Sequence, residues 1–181
     1  MDPPHFSIDN PRFMRTMAFT GVLLAALVAL GGCRSGSTQS ENKNVSDQDS
    51  EVAVIQTGLG EMVIEFWTDV APGTVENFKK LAKQGFYDGT AFHRIVKGSM
   101  VQGGDLLTKD PSKEDSWGTG NPGYQIKAEF STRPHERGVI SMARSQHPDS
   151  AGSQFFICLD AANFLDGKDT AVGKVIRGGQ G

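Results

Sequence analysis

The feature that most constrains this chain is a series of short apolar runs, each broken after a few residues by glycine, proline or a polar cluster. From Glu51 onward, EVAVIQT and EMVIEFW read as strands joined through Gly58-Leu59-Gly60, and Met62, Ile64 and Phe66 share one face by the period of two. Further strand-like runs fall at 91–96, 100–102, 124–128, 139–142, 155–158 and 171–176. Only one segment has helical spacing. In APGTVENFKKLAKQG, Pro72 suits the first helical position, Val75, Phe78, Leu81 and Ala82 form an apolar stripe, and Gly85 is a stop. Many short strands and one helix predict a closed antiparallel barrel with a helical cap.

Upstream of Glu51 the chain has a different character. Arg15-Thr16-Met17 leads into AFTGVLLAALVAL, the length of an export-signal core and short of the ~20 apolar residues of a membrane span. This predicts a signal over residues 1–33 that takes no part in the fold. The acidic, proline-containing start MDPPHFSIDN is a poor basic leader, which leaves Met14 and Met17 as alternative starts. The signal ends LGGC at residues 30–33, similar to the lipobox of bacterial lipoproteins, in which the cysteine is lipidated. That resemblance implies an exported protein of the bacterial cell envelope, anchored to a membrane through Cys33. Residues 34–50, RSGSTQSENKNVSDQDS, hold no aromatic residue and only Val45 as an aliphatic one, so they read as a flexible linker. Residues 51–181 are left as the globular domain.

Composition removes several function classes. Arg12 and Arg15 offset Asp2 and Asp9, so the part after residue 33 carries the whole net charge of −3, and no nucleic-acid partner is expected. His5, His93, His135 and His147 show no ligand spacing, so neither a metal nor a cofactor is expected. His93 reads as a satisfied core histidine. GTGNPG at 118–123 matches a dinucleotide-binding pattern, but YQIKAEF after it alternates like a strand instead of opening a helix, so the segment reads as a glycine-rich surface loop. Ser153 lacks a nucleophile-elbow setting, and Cys158 reads as a small buried hydrophobe.

What remains is a set of strand positions. Phe92, Arg94 and Val96 share a face, as do Met100 and Gln102, and Gln154 and Phe156. FHRIVKGSMVQGGD, SMARSQHPDSAGSQFFI and FLDGKDTAVGKV occur in this order and resemble the signatures of the cyclophilin family of peptidyl-prolyl cis/trans isomerases over about residues 51–179. The resemblance implies a mainly β fold, a closed antiparallel eight-stranded barrel capped by helices, here without the terminal helix and strand that usually follow GKVIRG. It implies Arg94 as the catalytic group. It also implies Met100, Gln102, Gly118, Thr119, Ala143, Arg144, Gln154, Phe156, Phe164 and Leu165 as substrate-binding positions, with Gly120 in the loop bordering the groove.

Four positions depart from the usual pattern. Ser99 stands for an aromatic wall residue, Phe164 for tryptophan, Arg144 for asparagine and Asp169 for a frequent histidine. The expected partners are proline-containing polypeptides, met by a monomer that assists the folding of exported proteins. A proline-peptide-binding or holdase module with little turnover is the alternative.

Overall fold

The structure, a computed structural model, describes residues 5–9 and 51–178. Its strands are β1 (His5–Asp9), β2 (Val52–Thr57), β3 (Gly60–Phe66), β4 (Arg94–Val96), β5 (Met100–Gly103), β6 (Val139–Met142), β7 (Phe155–Cys158) and β8 (Ala171–Arg177), with one α-helix, α1 (Pro72–Lys83). All pairings are antiparallel and the sheet order is β1-β2-β3-β8-β6-β7-β5-β4. The expected closed eight-stranded barrel is corrected by this order. The sheet has two ends, β1 and β4, and among the described residues no ladder joins them, so the architecture is a half-barrel. Seven of the strands lie in the domain expected at 51–181, and the eighth comes from 5–9.

Two further expectations change. His5–Asp9 falls inside the segment read as an export signal apart from the fold, yet it pairs with β2 from His5↔Gln56 to Asp9↔Val52. The outer edge of β2 would otherwise present unpaired N–H and C=O groups, which any extended segment can satisfy. Residues 124–128 do not form a strand and contribute only the isolated bridge Ile126↔Ala151. Their alternation holds from Gln125 to Ala128, with Ile126 and Ala128 half-buried and Gln125 and Lys127 exposed, but among the described residues no strand lies alongside to complete a ladder.

The helix forms where its apolar spacing predicts. Val75, Phe78, Leu81 and Ala82 are buried against the sheet, and α1 ends at Lys83 with Gln84 as its C-cap and Gly85 at φ +67° allowing the chain to turn back. Ala71 at the N-terminus has no side-chain cap. That role falls to Glu129, which accepts from Gly73 N at 3.1 Å and from Thr74 N and Oγ1 at 2.8 and 2.7 Å.

Within the largely aliphatic main core, an aromatic group joins helix to sheet. The Phe78 ring lies 4.9 Å from Tyr87, 5.4 Å from Phe155 and 5.6 Å from Phe66. Tyr87 donates its hydroxyl to Ser153 O at 3.2 Å, and burial pushes that phenol well above its ordinary range. Asn77 donates to Gly152 O at 2.9 Å. α1 therefore holds the segment that leads into Gln154 and β7, and through it one wall of the candidate site.

Candidate functional site

The sheet register assembles the side chains that matter. In antiparallel pairs directly opposed residues share a face, and here Arg94 opposes Gln102, Gln102 opposes Phe156, and Phe156 opposes Ser141. One rung thus crosses β4, β5, β7 and β6. The next rung runs Val96–Met100–Cys158. Met100, Leu165 and Ala143 pack against a second cluster of Val139, Phe156, Cys158, Ala162 and Ala171. This places an apolar seat beside an exposed guanidinium.

Polar groups are linked in series. Arg94 Nη1 donates to Gln102 Oε1 at 3.4 Å, Gln102 Nε2 to Gln154 Oε1 at 2.9 Å, and Gln154 Nε2 to the carbonyls of Gly118 and Gly120 at 3.0 and 2.8 Å. A groove of about 360 Å³ is lined by Gln102, Gly118, Thr119, Ala143, Arg144 and Gln154. Ala143 N–H donates to Gln154 O at 2.9 Å, which fixes the two sides against each other.

Other expected residues sit less simply. Phe164 is 68% exposed on a 3-10 turn and stands at the rim rather than in the seat. Arg144 spends its guanidinium on the protein: Nη2 donates to Lys168 O at 2.9 Å, Nη1 to Ser145 O at 3.0 Å, and Nε lies 3.0 Å from Asp169 Oδ1 as an ion pair without an aligned hydrogen bond. Two of the departures noted in the sequence are therefore one arrangement, a clamp between the 144–146 and 168–169 segments. Ser99 is half-buried and accepts the Leu159 N–H at 2.7 Å through its carbonyl. Cys33 lies outside the described residues.

The reading of His93 as a satisfied histidine is corrected. Both its ring nitrogens are buried and, among the described residues, have no hydrogen-bond partner. The satisfied histidine is His135, which is fully buried with Nδ1 2.9 Å from Asp166 Oδ1 and Nε2 3.0 Å from Ser141 Oγ. Its ring stacks under Phe156 at 6.5 Å. Hydrogen bonds from the His135 side chain, then from its backbone, hold the Asp166 carboxyl below the usual carboxylate range. No spacing could reveal this group, because Asp166 lies 31 positions from His135. Ser141 is fully buried, so this serine, histidine and aspartate brace the floor and offer no nucleophile to solvent.

Cys158 is buried and burial pushes its thiol up to about 11. Among the described residues no group of three or more His, Cys, Asp or Glu side chains could hold a metal ion. The arrangement can seat a compact apolar ring, hold an extended backbone and present a forked hydrogen-bond donor.

The family model described as cyclophilin-type peptidyl-prolyl cis-trans isomerase matches residues 52–180. A probable peptidyl-prolyl cis-trans isomerase of Brucella abortus is 41% identical over 158 residues, 85% of this chain and 78% of that one. Peptidyl-prolyl cis-trans isomerase B of Bacillus subtilis is 46% identical over 116 residues, 63% of this chain and 75% of the relative. A crystal structure of a Cryptosporidium parvum cyclophilin-type isomerase, obtained in the presence of the dipeptide Ala-Pro, superposes with a TM-score of 0.62 at 32% identity, covering 70% of this chain and 79% of that one.

Proposed function

The chain belongs to the cyclophilin-type peptidyl-prolyl cis-trans isomerases, and from that membership we propose that Arg94 is the group that accelerates rotation about X–Pro bonds, with the proline ring seated on Met100, Phe156 and Leu165. The observation that carries this reading is the rung Arg94–Gln102–Phe156, which sets a forked donor and an apolar face side by side on one groove. Gln154, Gly118, Thr119 and Ala143 hold the flanking peptide extended, and Phe164 borders the groove. Arg144 shapes the groove edge through its clamp on Asp169. The Ala-Pro dipeptide named with the Cryptosporidium parvum relative supports a proline-containing ligand.

The chemistry asks for no bond to be made. Rotation costs ~18–20 kcal/mol because it breaks amide resonance, and for X–Pro both isomers are populated and interchange over tens of seconds or longer. The experiment is paired. An Ala-Pro peptide is titrated with the full chain for affinity, and its cis–trans exchange is followed by NMR with the protein at a small fraction of the peptide concentration. Faster exchange with the peptide otherwise unchanged is the expected result; tight binding without faster exchange favours a holdase.

The N-terminal segment supports an exported, membrane-anchored form. The apolar run ends in LGGC and a polar linker follows, so acylation at Cys33 and attachment at the bacterial envelope are the reading. One acyl chain holds only marginally, and stable attachment takes two or more. Cleavage before Cys33 removes His5–Asp9 and uncovers the edge of β2. Cys33→Ser is expected to move the protein from the membrane to the soluble fraction of fractionated cells, and unchanged membrane recovery would refute the anchor.

A further inference from the structure

The glycine-rich GTG stretch at 118–120 does bind an anion, and the anion belongs to the protein. Asp105 is fully buried. Its Oδ2 accepts from Gly118 N at 2.5 Å and Gly120 N at 3.1 Å, while Oδ1 accepts from Leu107 N at 2.7 Å. Three backbone N–H groups, from Leu107, Gly118 and Gly120, converge on one carboxylate and form an anion-holding concavity, while the Thr119 N–H between them donates to Ser116 O. The loop tolerates the approach because Gly118 adopts φ +94° and because a methyl group on Gly120 would collide with Asp105 Oδ1.

The position of this loop matters because of what it accepts. The carbonyls of Gly118 and Gly120 both receive Gln154 Nε2, so the amide of Gln154 has one orientation, with Oε1 turned toward Gln102. Gln102 is oriented in turn, since its Nε2 is committed to Gln154 and only Oε1 is left to face Arg94 Nη1. The order of donors and acceptors is forced from one end. Were the loop free, Gln154 could flip and turn its N–H groups toward Gln102, and Gln102 could then flip and present an N–H to the guanidinium, which has only donors.

We propose that Asp105 is a positioning residue for isomerisation: by anchoring the 118–120 loop, it fixes the sense of the Gln154–Gln102 relay and so the orientation of the Arg94 guanidinium. The proposal rests on the reading of Arg94 as the catalytic group. Arg94 is exposed and its bond to Gln102 is long, so its own surroundings restrain it weakly and the relay behind it has leverage. Asp105 does not itself line the groove and meets it only through the backbone N–H groups of Gly118 and Gly120. Its effect must therefore pass through the loop and the two glutamines.

Asp105→Asn is nearly isosteric. It keeps Oδ1 for Leu107 N but turns an NH2 against two N–H donors, so the loop is released while the volume is filled. The test is a double-mutant cycle with Arg94→Ala, reading the saturated cis–trans exchange rate of an Ala-Pro peptide, with peptide affinity and thermal unfolding measured on each protein. The expected result is a loss of about tenfold from Asp105→Asn in the native background and of less than about twofold when Arg94 is already alanine. An equal loss in both backgrounds, or none in either, would overturn the role of Asp105 while leaving that of Arg94 standing. No loss from Arg94→Ala alone would instead remove the premise. Should Asp105→Asn lose its cooperative unfolding, Gly120→Ala displaces the loop with the carboxylate intact, and the same two patterns in its own cycle with Arg94→Ala decide the matter.

Discussion

Replacing Phe78 by alanine should lower the thermal midpoint by roughly 10–20 °C, as read by near-UV circular dichroism. The ring is fully buried and makes aromatic contacts to Phe66, Tyr87 and Phe155 within 5.6 Å. Deleting a buried phenylalanine costs about 3–5 kcal/mol, because transfer energy is lost and the cavity left behind only partly collapses. A domain of this size keeps only about 5–15 kcal/mol in all. The effect should reach the groove as well, because Phe155 lies next to Phe156 on β7 and Tyr87 and Asn77 hold the 152–153 segment. A midpoint shift of under about 3 °C would mean that α1 is not the keystone of this core.

How much of this was legible in the sequence depends on the range of the interaction that decided each feature. The helix was legible because its determinants are local: Pro72 opens it, Gly85 closes it, and the Val75–Phe78–Leu81–Ala82 stripe needs only the helical period. The faces of the site strands were legible for a related reason. Period-two alternation puts Arg94 with Phe92 and Val96, Met100 with Gln102, and Gln154 with Phe156. Which strands pair, and the register Arg94↔Gln102↔Phe156, depend on contacts between segments and came from the structure.

The rest turned on partners distant in the chain. The pattern at 124–128 looks like a strand, but among the described residues no strand lies beside it, and alternation alone cannot say so. Glu129 caps a helix 55 residues earlier, and Asp166 secures a histidine 31 residues earlier. The GTG segment was read as a glycine-rich surface loop because the carboxylate it holds, on Asp105, sits 13 residues from Gly118. Closure of the sheet depends on which segments occupy its two edges, and the pairing of His5–Asp9 with β2 had no counterpart in the export-signal reading of that stretch. The Arg144–Asp169 pair explains why both positions depart from the usual pattern together.

The second large effect concerns Arg94, and it bears on mechanism directly. In the planar ground state the proline nitrogen has its lone pair in the π system and accepts no hydrogen bond. As the bond twists, that lone pair is freed, and a fixed guanidinium beside it gains an interaction that did not exist before. In the proposed role of Arg94, the apolar cluster of Met100, Phe156 and Leu165 would strengthen the new bond by keeping water away. Such a contribution belongs to the rate and not to the affinity. At about 3 kcal/mol it corresponds to roughly a hundredfold in rate. The measurement that tests this most directly is the saturated cis–trans exchange rate and the dissociation constant of one Ala-Pro peptide, determined on the native protein and on Arg94→Ala. A transition-state role gives a rate lower by about a hundredfold with affinity changed by less than about threefold. Equal losses in rate and affinity, or an unchanged rate, would contradict it.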